Sequence, residues 1–185
     1  MDNFRSLCQH RRSIRKYENR PIEQEKLDYI LQCALMAPSS KRTTPWEFIV
    51  VRNQETLRAM QACRTYGSGM FETAQAAIVV ALDASLTDTW QADGAIAATH
   101  ILLAAEEQGL GACWCQVYNR PAAPQSEKTA DAQRERTAEE LIRELCGIPE
   151  TLNVQCVISL GYKDEERRTF ELEKLKYEKV HQEKY

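Results

Sequence analysis

Residues 1–20 hold the densest local charge in the chain: Arg5, Arg11, Arg12, Arg15, Lys16 and Arg20 face only Asp2 and Glu18, an excess of four positive charges. Within that stretch, Arg11-Arg12-Ser13-Ile14-Arg15 offers several guanidinium forks and a hydroxyl in five consecutive residues. Guanidinium binds phosphate oxygens two at a time, so one reading is a site for a phosphate-bearing ligand. The other reading is a solvated basic surface, the ordinary place for Arg and Lys. Pro38-Ser39-Ser40 adds hydroxyl and backbone N–H donors just past a predicted helix end. Turn chemistry alone also favours Ser and Pro there.

Other motifs are excluded by spacing. Gly109-Leu110-Gly111 follows a predicted helix, whereas a dinucleotide fingerprint follows a strand, opens a helix and has a third glycine. His10, His100 and His181 lie far apart with no carboxylate or thiolate at ligand spacing, so no metal site is expected. The chain has no G-x-S-x-G elbow, and no cysteine pairs visibly with a histidine. Seven cysteines at irregular spacing sit mostly in apolar surroundings and read as small core residues. Cys113-Trp114-Cys115 reads as alternate positions on a strand. With acid–base groups unclustered, any redox or transfer chemistry is expected to reside in a bound cofactor, the protein supplying donors and shape.

These residues need elements to carry them. Leu27, Ile30, Leu31, Ala34 and Leu35 recur at helical spacing within residues 25–37, and Ala37-Pro38 should end that helix. WEFIVV (residues 46–51), AAIVVAL (76–82), CWCQVY (113–118) and NVQCVISLGY (153–162) have the β-branched and aromatic content of strands. QETLRAMQAC is a short helix candidate, and AEELIRELCGI a helix ending near Gly147. Residues 92–108 are almost uncharged until Glu106, which predicts a helix apolar on most sides and buried mid-domain, stopped by Gly109. Residues 119–136 read as a long exposed loop, either a surface excursion or a lid. The tail, residues 163–185, has seven basic and seven acidic side chains and should lie on the body or on a second subunit. The class is mixed α and β, in one domain spanning residues 1–185.

Composition agrees with that picture. The chain has 185 residues, 43% hydrophobic and 28% charged, in the range of folded globular chains. With 24 Lys and Arg against 27 Asp and Glu, it has no global positive field to attract nucleic acid or an anionic membrane. No apolar run of membrane-spanning length occurs, and the first residues lack a signal-peptide core, so a cytoplasmic location is expected.

In order, the blocks RRSIRKY, APSSKRTTPWEFIVV, AIAATHILLAAEEQGLGACW, CGIPETLNVQCVISLGY and KYEKVHQEKY resemble the FMN-dependent nitroreductase family over the whole chain. The resemblance implies an α+β, three-layer fold: a central, mostly antiparallel sheet flanked by helices, working as an intertwined homodimer with FMN at the subunit interface. By similarity, Arg11, Arg12, Ser13 and Arg15 would hold the flavin phosphate, ribityl chain and pyrimidine edge. Pro38, Ser39 and Ser40 would approach the ring from the partner subunit. Cys113, Trp114, Cys115 and Gln116 would line the other side. Either Arg167 or Arg168 would match the family's C-terminal phosphate-binding residue. Many relatives read P-S-x-x-N-x-Q-P-W, and here Arg42 and Thr44 replace the Asn and Gln. Arg42 would then contact the ring or its entrance, favouring the reduced flavin or acidic acceptors.

The implied activity is ping-pong reduction of nitroaromatics, quinones or related acceptors, with NADH or NADPH passing a hydride to flavin N5. No catalytic side chain is named. The alternatives are another flavin reaction on the same fold, such as dehalogenation or flavin fragmentation, a flavin binder without turnover, or a flavin-free dimeric scaffold.

Overall fold

The structure is a computed structural model and describes residues 4–123 and 136–185. Strands β1 (Trp46–Val51), β2 (Ala76–Leu82), β3 (Gly111–Gln116) and β4 (Asn153–Gly161) form one sheet in the order β1-β2-β4-β3, and each neighbouring pair is antiparallel. Every residue of β2, and all of β4 after Asn153, is buried. Both strands are central and covered on both faces, so AAIVVAL reads as a continuous apolar run rather than an alternating one.

The described residues form α1 (Phe4–His10), α2 (Gln24–Leu35), α3 (Gln54–Ala59), α4 (Trp90–Glu107) and α5 (Ala138–Cys146); α2 to α5 cover the sheet, and α1 lies against α4. On one face, α2 and α4 pack through Leu27, Ile30, Ala97 and Ile101 onto Ile78, Val80, Ile158 and Leu160. On the other, α3, the 3-10 turns Met60–Cys63 and Gly69–Glu72, and α5 close a core with Leu57, Phe71, Ile142, Val79 and Val157. The result is the α+β three-layer arrangement that the resemblance implies.

Local chemistry sets the helix ends. The Thr137 hydroxyl accepts from the Glu140 N–H while the Glu140 carboxylate accepts from the Thr137 N–H, a capping box that starts α5; left-handed Gly147 stops it. Gly109, at φ 74°, follows the end of α4 as its position predicts.

The structure departs from the sequence expectations in several places. Helix α1 is not anticipated: its apolar positions Phe4, Leu7 and Cys8 span barely one turn of a seven-residue segment, and none of its residues is buried. The short helix at residues 54–63 gives way to a 3-10 turn at Met60. Strand β3 begins at Gly111, two residues early, because Gly111 pairs with Gly161. Helix α4 is not buried all round: Ala97, Ala98 and Ile101 face the sheet, but Ala92, Ile96 and Thr99 are exposed. Its lack of charge therefore reflects a second apolar face without a cover in the single chain.

Residues 124–135, and with them the lid expectation, lie outside the described residues. The flanks of that interval are tied together, with a Pro121–Thr137 bridge and the Ala122 N–H donating to the Arg136 carbonyl at 2.9 Å. No described helix is long and apolar enough to cross a membrane.

Candidate cofactor cleft

The basic stretch is zipped against the start of the tail. Glu18 donates its N–H to the Tyr162 carbonyl, Asp164 to Lys16 and Phe170 to Gln9, each at 3.0 Å, and Tyr17 bridges Lys163. Side chains close the same seam. An Arg12 Nη donates to the Arg168 carbonyl at 2.6 Å, and its guanidinium lies 4.5 Å from the Phe170 ring centre, a cation–π contact.

Two glycines let this seam lie against the sheet. A Cβ on Gly111 would come within 2.7 Å of Ile14, and one on Gly161 within 2.7 Å of Tyr17. The Ile14 N–H donates to the Ala112 carbonyl at 3.0 Å, joining the segment to the outer edge of β3. Below it, the Tyr17 hydroxyl donates to the Ile14 carbonyl at 2.6 Å and meets the Ser159 hydroxyl at 2.7 Å. Burial pushes the Tyr17 phenol well above its ordinary range, so it stays a neutral donor.

The seam opens into a cleft of about 630 Å³, a size that accepts a small cofactor. His10, Arg12, Lys163 and Arg167 bring basic groups to it, Asp164, Glu165 and Glu166 bring acidic ones, and Ile14 is apolar lining. Lys163 is anchored by both oxygens of buried Glu106, at 2.7 and 2.8 Å. Burial raises the Glu165 carboxyl, but the Arg15 N–H and the Arg167 guanidinium outweigh it, so the group lies below the usual carboxylate range.

Ser13 sits beside Cys113, whose thiol burial pushes up and the Ser13 hydroxyl bonds. Cys113 and Cys115 are buried toward α5 while Trp114 packs on the opposite core, as alternation on a strand requires. The Trp114 indole N–H donates to Gln116 Oε1 at 3.0 Å, and the Gln116 amide donates on to the Tyr118 carbonyl. The Ala112 and Gln116 carbonyls point to the outer edge of β3, where they accept from Ile14 and Arg64. By ladder alternation Trp114 turns its own N–H and C=O the same way. That edge is therefore a row of backbone donors and acceptors next to Ser13.

The serine turn lies elsewhere. Ser40 donates its N–H to buried Asp93 at 2.9 Å, Thr44 donates to the Ser39 hydroxyl at 2.9 Å, and Thr43 bonds the Ser40 carbonyl. Lys41, Arg42 and Thr44 all hold positive φ, at 51°, 58° and 43°, a conformation costly for residues with a Cβ. Such strain marks a turn whose shape is imposed from outside, here by Asp93 on the first turns of α4.

Of the residues singled out in the sequence, Arg12, Ser13, Arg15, Cys113 and Arg167 gather at the seam. Arg167 lines the cleft, whereas Arg168 contributes its carbonyl to Arg12. Arg11 is half-buried outside the lining set. Pro38, Ser39, Ser40 and Arg42 are not brought to the seam within one chain. Trp46 follows their turn and pairs with Leu82, while Ala76 pairs with Leu160 beside the seam. The six residue steps of β2 between those rungs span roughly 20 Å. Asp93, Glu165 and the packing role of Gly111 and Gly161 were missed in the sequence. A lone acid in an apolar helix was the available signal for Asp93; nothing local marked Glu165 among its charged neighbours.

The guanidinium groups of Arg12 and Arg167 suit a phosphate ester, set against the carboxylates of Asp164, Glu165 and Glu166 in the same lining; Ser13 and the edge of β3 adjoin the cleft through Ile14. Comparisons with known proteins agree in kind. The model of the Nitroreductase family matches residues 8–89 and 61–162. A protein of Archaeoglobus fulgidus, provisionally named an NADH dehydrogenase/NAD(P)H nitroreductase, is 37% identical over 190 residues that cover 100% of both chains. A protein of Methanothermobacter thermautotrophicus with the same provisional name is 39% identical over 178 residues, 95% of this chain and 84% of that protein. Among solved structures, an FMN-dependent nitroreductase from Clostridium difficile R20291 superposes with a TM-score of 0.86 at 43% identity, covering 97% of this chain and 98% of that one.

Proposed function

This chain belongs to the Nitroreductase family, and from that premise we propose that it is an FMN-dependent NAD(P)H oxidoreductase acting on nitroaromatics, quinones or related small acceptors in a ping-pong cycle. The observation that carries the reading is the cleft at the seam, where Arg12 and Arg167 meet from opposite ends of the sequence beside Ser13 and the open edge of β3. FMN, when bound, would supply the two-electron redox chemistry between the nicotinamide donor and the acceptor.

The residues then divide the work. Arg12, Ser13 and Arg167 hold the phosphate, each a donor to anionic oxygen. Arg15, exposed one residue beyond buried Ile14, would offer its guanidinium to the polar edge of the ring. On the β3 edge Trp114, between the Ala112 and Gln116 carbonyls that Ile14 and Arg64 occupy, would present its backbone N–H and C=O to the flavin. Tyr17 and Ser159 keep the segment in place through buried hydroxyls. No side chain in the cleft is assigned as acid or base, which leaves positioning and electrostatic stabilisation as the protein's contributions.

The serine turn contributes from a second copy of the chain. One protomer places its own turn at the far end of the sheet, so a flavin at the seam meets Ser39, Ser40 and Arg42 of the partner subunit in an intertwined homodimer. The exposed apolar face of α4 around Ile96 and the exposed tail residues Tyr177 and Val180 supply surface for that contact.

The test is optical. The purified protein is expected to be yellow, to bleach on NADH or NADPH addition under argon, and to regain colour when a quinone or nitroaromatic is added. A colourless protein that takes up no added FMN refutes the proposal; a yellow one that neither donor bleaches refutes the NAD(P)H assignment.

A further inference from the structure

Glu165 is an anion placed among the groups that would grip one. One carboxylate oxygen accepts from the Arg15 backbone N–H at 2.5 Å, and the other accepts from the Arg167 guanidinium at 2.5 Å. Only 15% of the Glu165 side chain reaches solvent, although it lines the cleft. Its neighbours behave differently: among the described residues, the Asp164 and Glu166 side chains form no hydrogen bond or ion pair, and both residues are exposed.

Among the described residues, the Arg15 side chain makes one hydrogen bond, a long one of 3.5 Å to the Ser13 carbonyl. Its placement therefore comes from its backbone, and Glu165 holds that backbone. Arg167 lies in a segment without regular structure and is 43% exposed. Without a partner, its long side chain would sample many rotamers, and ordering it on ligand binding would cost entropy. A carboxylate beside a phosphate is repulsive, so the arrangement favours binding only if the order it imposes outweighs that repulsion.

We infer that Glu165 is a positioning residue for the cofactor, bridging the amino-terminal and carboxy-terminal halves of the seam so that Arg15 and Arg167 are in place before the phosphate-bearing end arrives. This inference rests on the FMN reading above. It separates two roles: the oxygen on Arg15 fixes the main chain beside the ring, and the oxygen on Arg167 orders the phosphate contact.

Apoprotein titrated with FMN, and separately with riboflavin, which lacks the phosphate, tests it through flavin fluorescence. In Glu165→Ala, FMN affinity is expected to fall about tenfold and riboflavin affinity by less than about threefold, the size expected for losing a bond to a charged group. Glu165→Gln keeps an acceptor for the Arg15 N–H but cannot neutralise Arg167, so its FMN-to-riboflavin ratio falls in the same direction and to a smaller extent. That second variant carries the test if Glu165→Ala does not fold. Unchanged or tighter FMN binding in both variants would overturn the inference, since Glu165 would then be a bystander or a rival anion. Equal weakening toward both flavins would also overturn it, because that is the signature of a purely structural role. A wild-type chain that binds neither flavin removes the functional reading and this inference together; wild-type binding with indifferent variants removes this inference alone.

Discussion

Asp93 and Arg42 show how one residue governs a turn. Asp93 is 3% exposed, sits on the first turns of α4 where the helix dipole favours a negative charge, and accepts the Ser40 N–H. Removing it as Asp93→Ala leaves that N–H without its partner next to three positive-φ residues. A loss of about 2 kcal/mol is expected, with a Tm lower by roughly 4–8 °C. Asp93→Asn, which keeps an acceptor oxygen, should lose less than half as much in the same thermal melt. Arg42 occupies a left-handed position that Asn tolerates better than Arg, so the Arg stands against the preference of this backbone. Glu23 offers a pH test. The Tyr162 hydroxyl, bonded to it at 2.5 Å, is the main cause that lowers its carboxyl to about 2. A depressed carboxylate contributes stability above its unfolded pKa, about 4.3, and loses it as pH falls toward the folded value. The stability difference between wild type and Tyr162→Phe should thus be flat above that pH and shrink between there and pH about 2, as acid titrations of both proteins followed by denaturant unfolding would reveal.

At the scale of elements, glycine does work that no polar motif announces. Gly161 ends β4 under Tyr17, and a methyl group there would collide with three ring and stem atoms at 2.7 Å. Tyr17 is 3% exposed and tied to Ser159, so it has no open space to move into. Gly161→Ala is expected to cost about 1–3 kcal/mol, as overpacking does, and to weaken FMN binding because Ile14 and Arg15 shift with Tyr17. A denaturant midpoint together with a flavin titration would check both, and an alanine accommodated without loss would mean the seam is looser than its packing indicates. Helix α4 gives the complementary case. Its composition announced a buried helix correctly on the sheet side, but periodicity cannot distinguish burial by the same chain from burial by another.

The proposed composite site belongs to the scale of the whole molecule. The seam and the serine turn lie toward opposite ends of β2, which supports a site shared between two chains. Sedimentation is expected to give about twice the chain mass of 21.2 kDa, and a monomer that persists at micromolar concentration would end the composite-site argument.

Much of the rest was legible in advance. The β-branched runs of β1, β2 and β4 and the apolar stripe of α2 are local signals, written within a few residues of where they act. Charge at residues 11–15 is a local signal too, open in the sequence between an anion site and a solvated basic surface. What the sequence alone determined was this set of local tendencies and the family resemblance in their order. Only the tertiary structure decided that Arg167 rather than Arg168 lines the cleft, that Glu165 links Arg15 to Arg167, and that Gly111 and Gly161 make room for the seam. Each of those depends on contact between residues 97 to 156 positions apart, and no local pattern encodes a distance that only the folded chain closes.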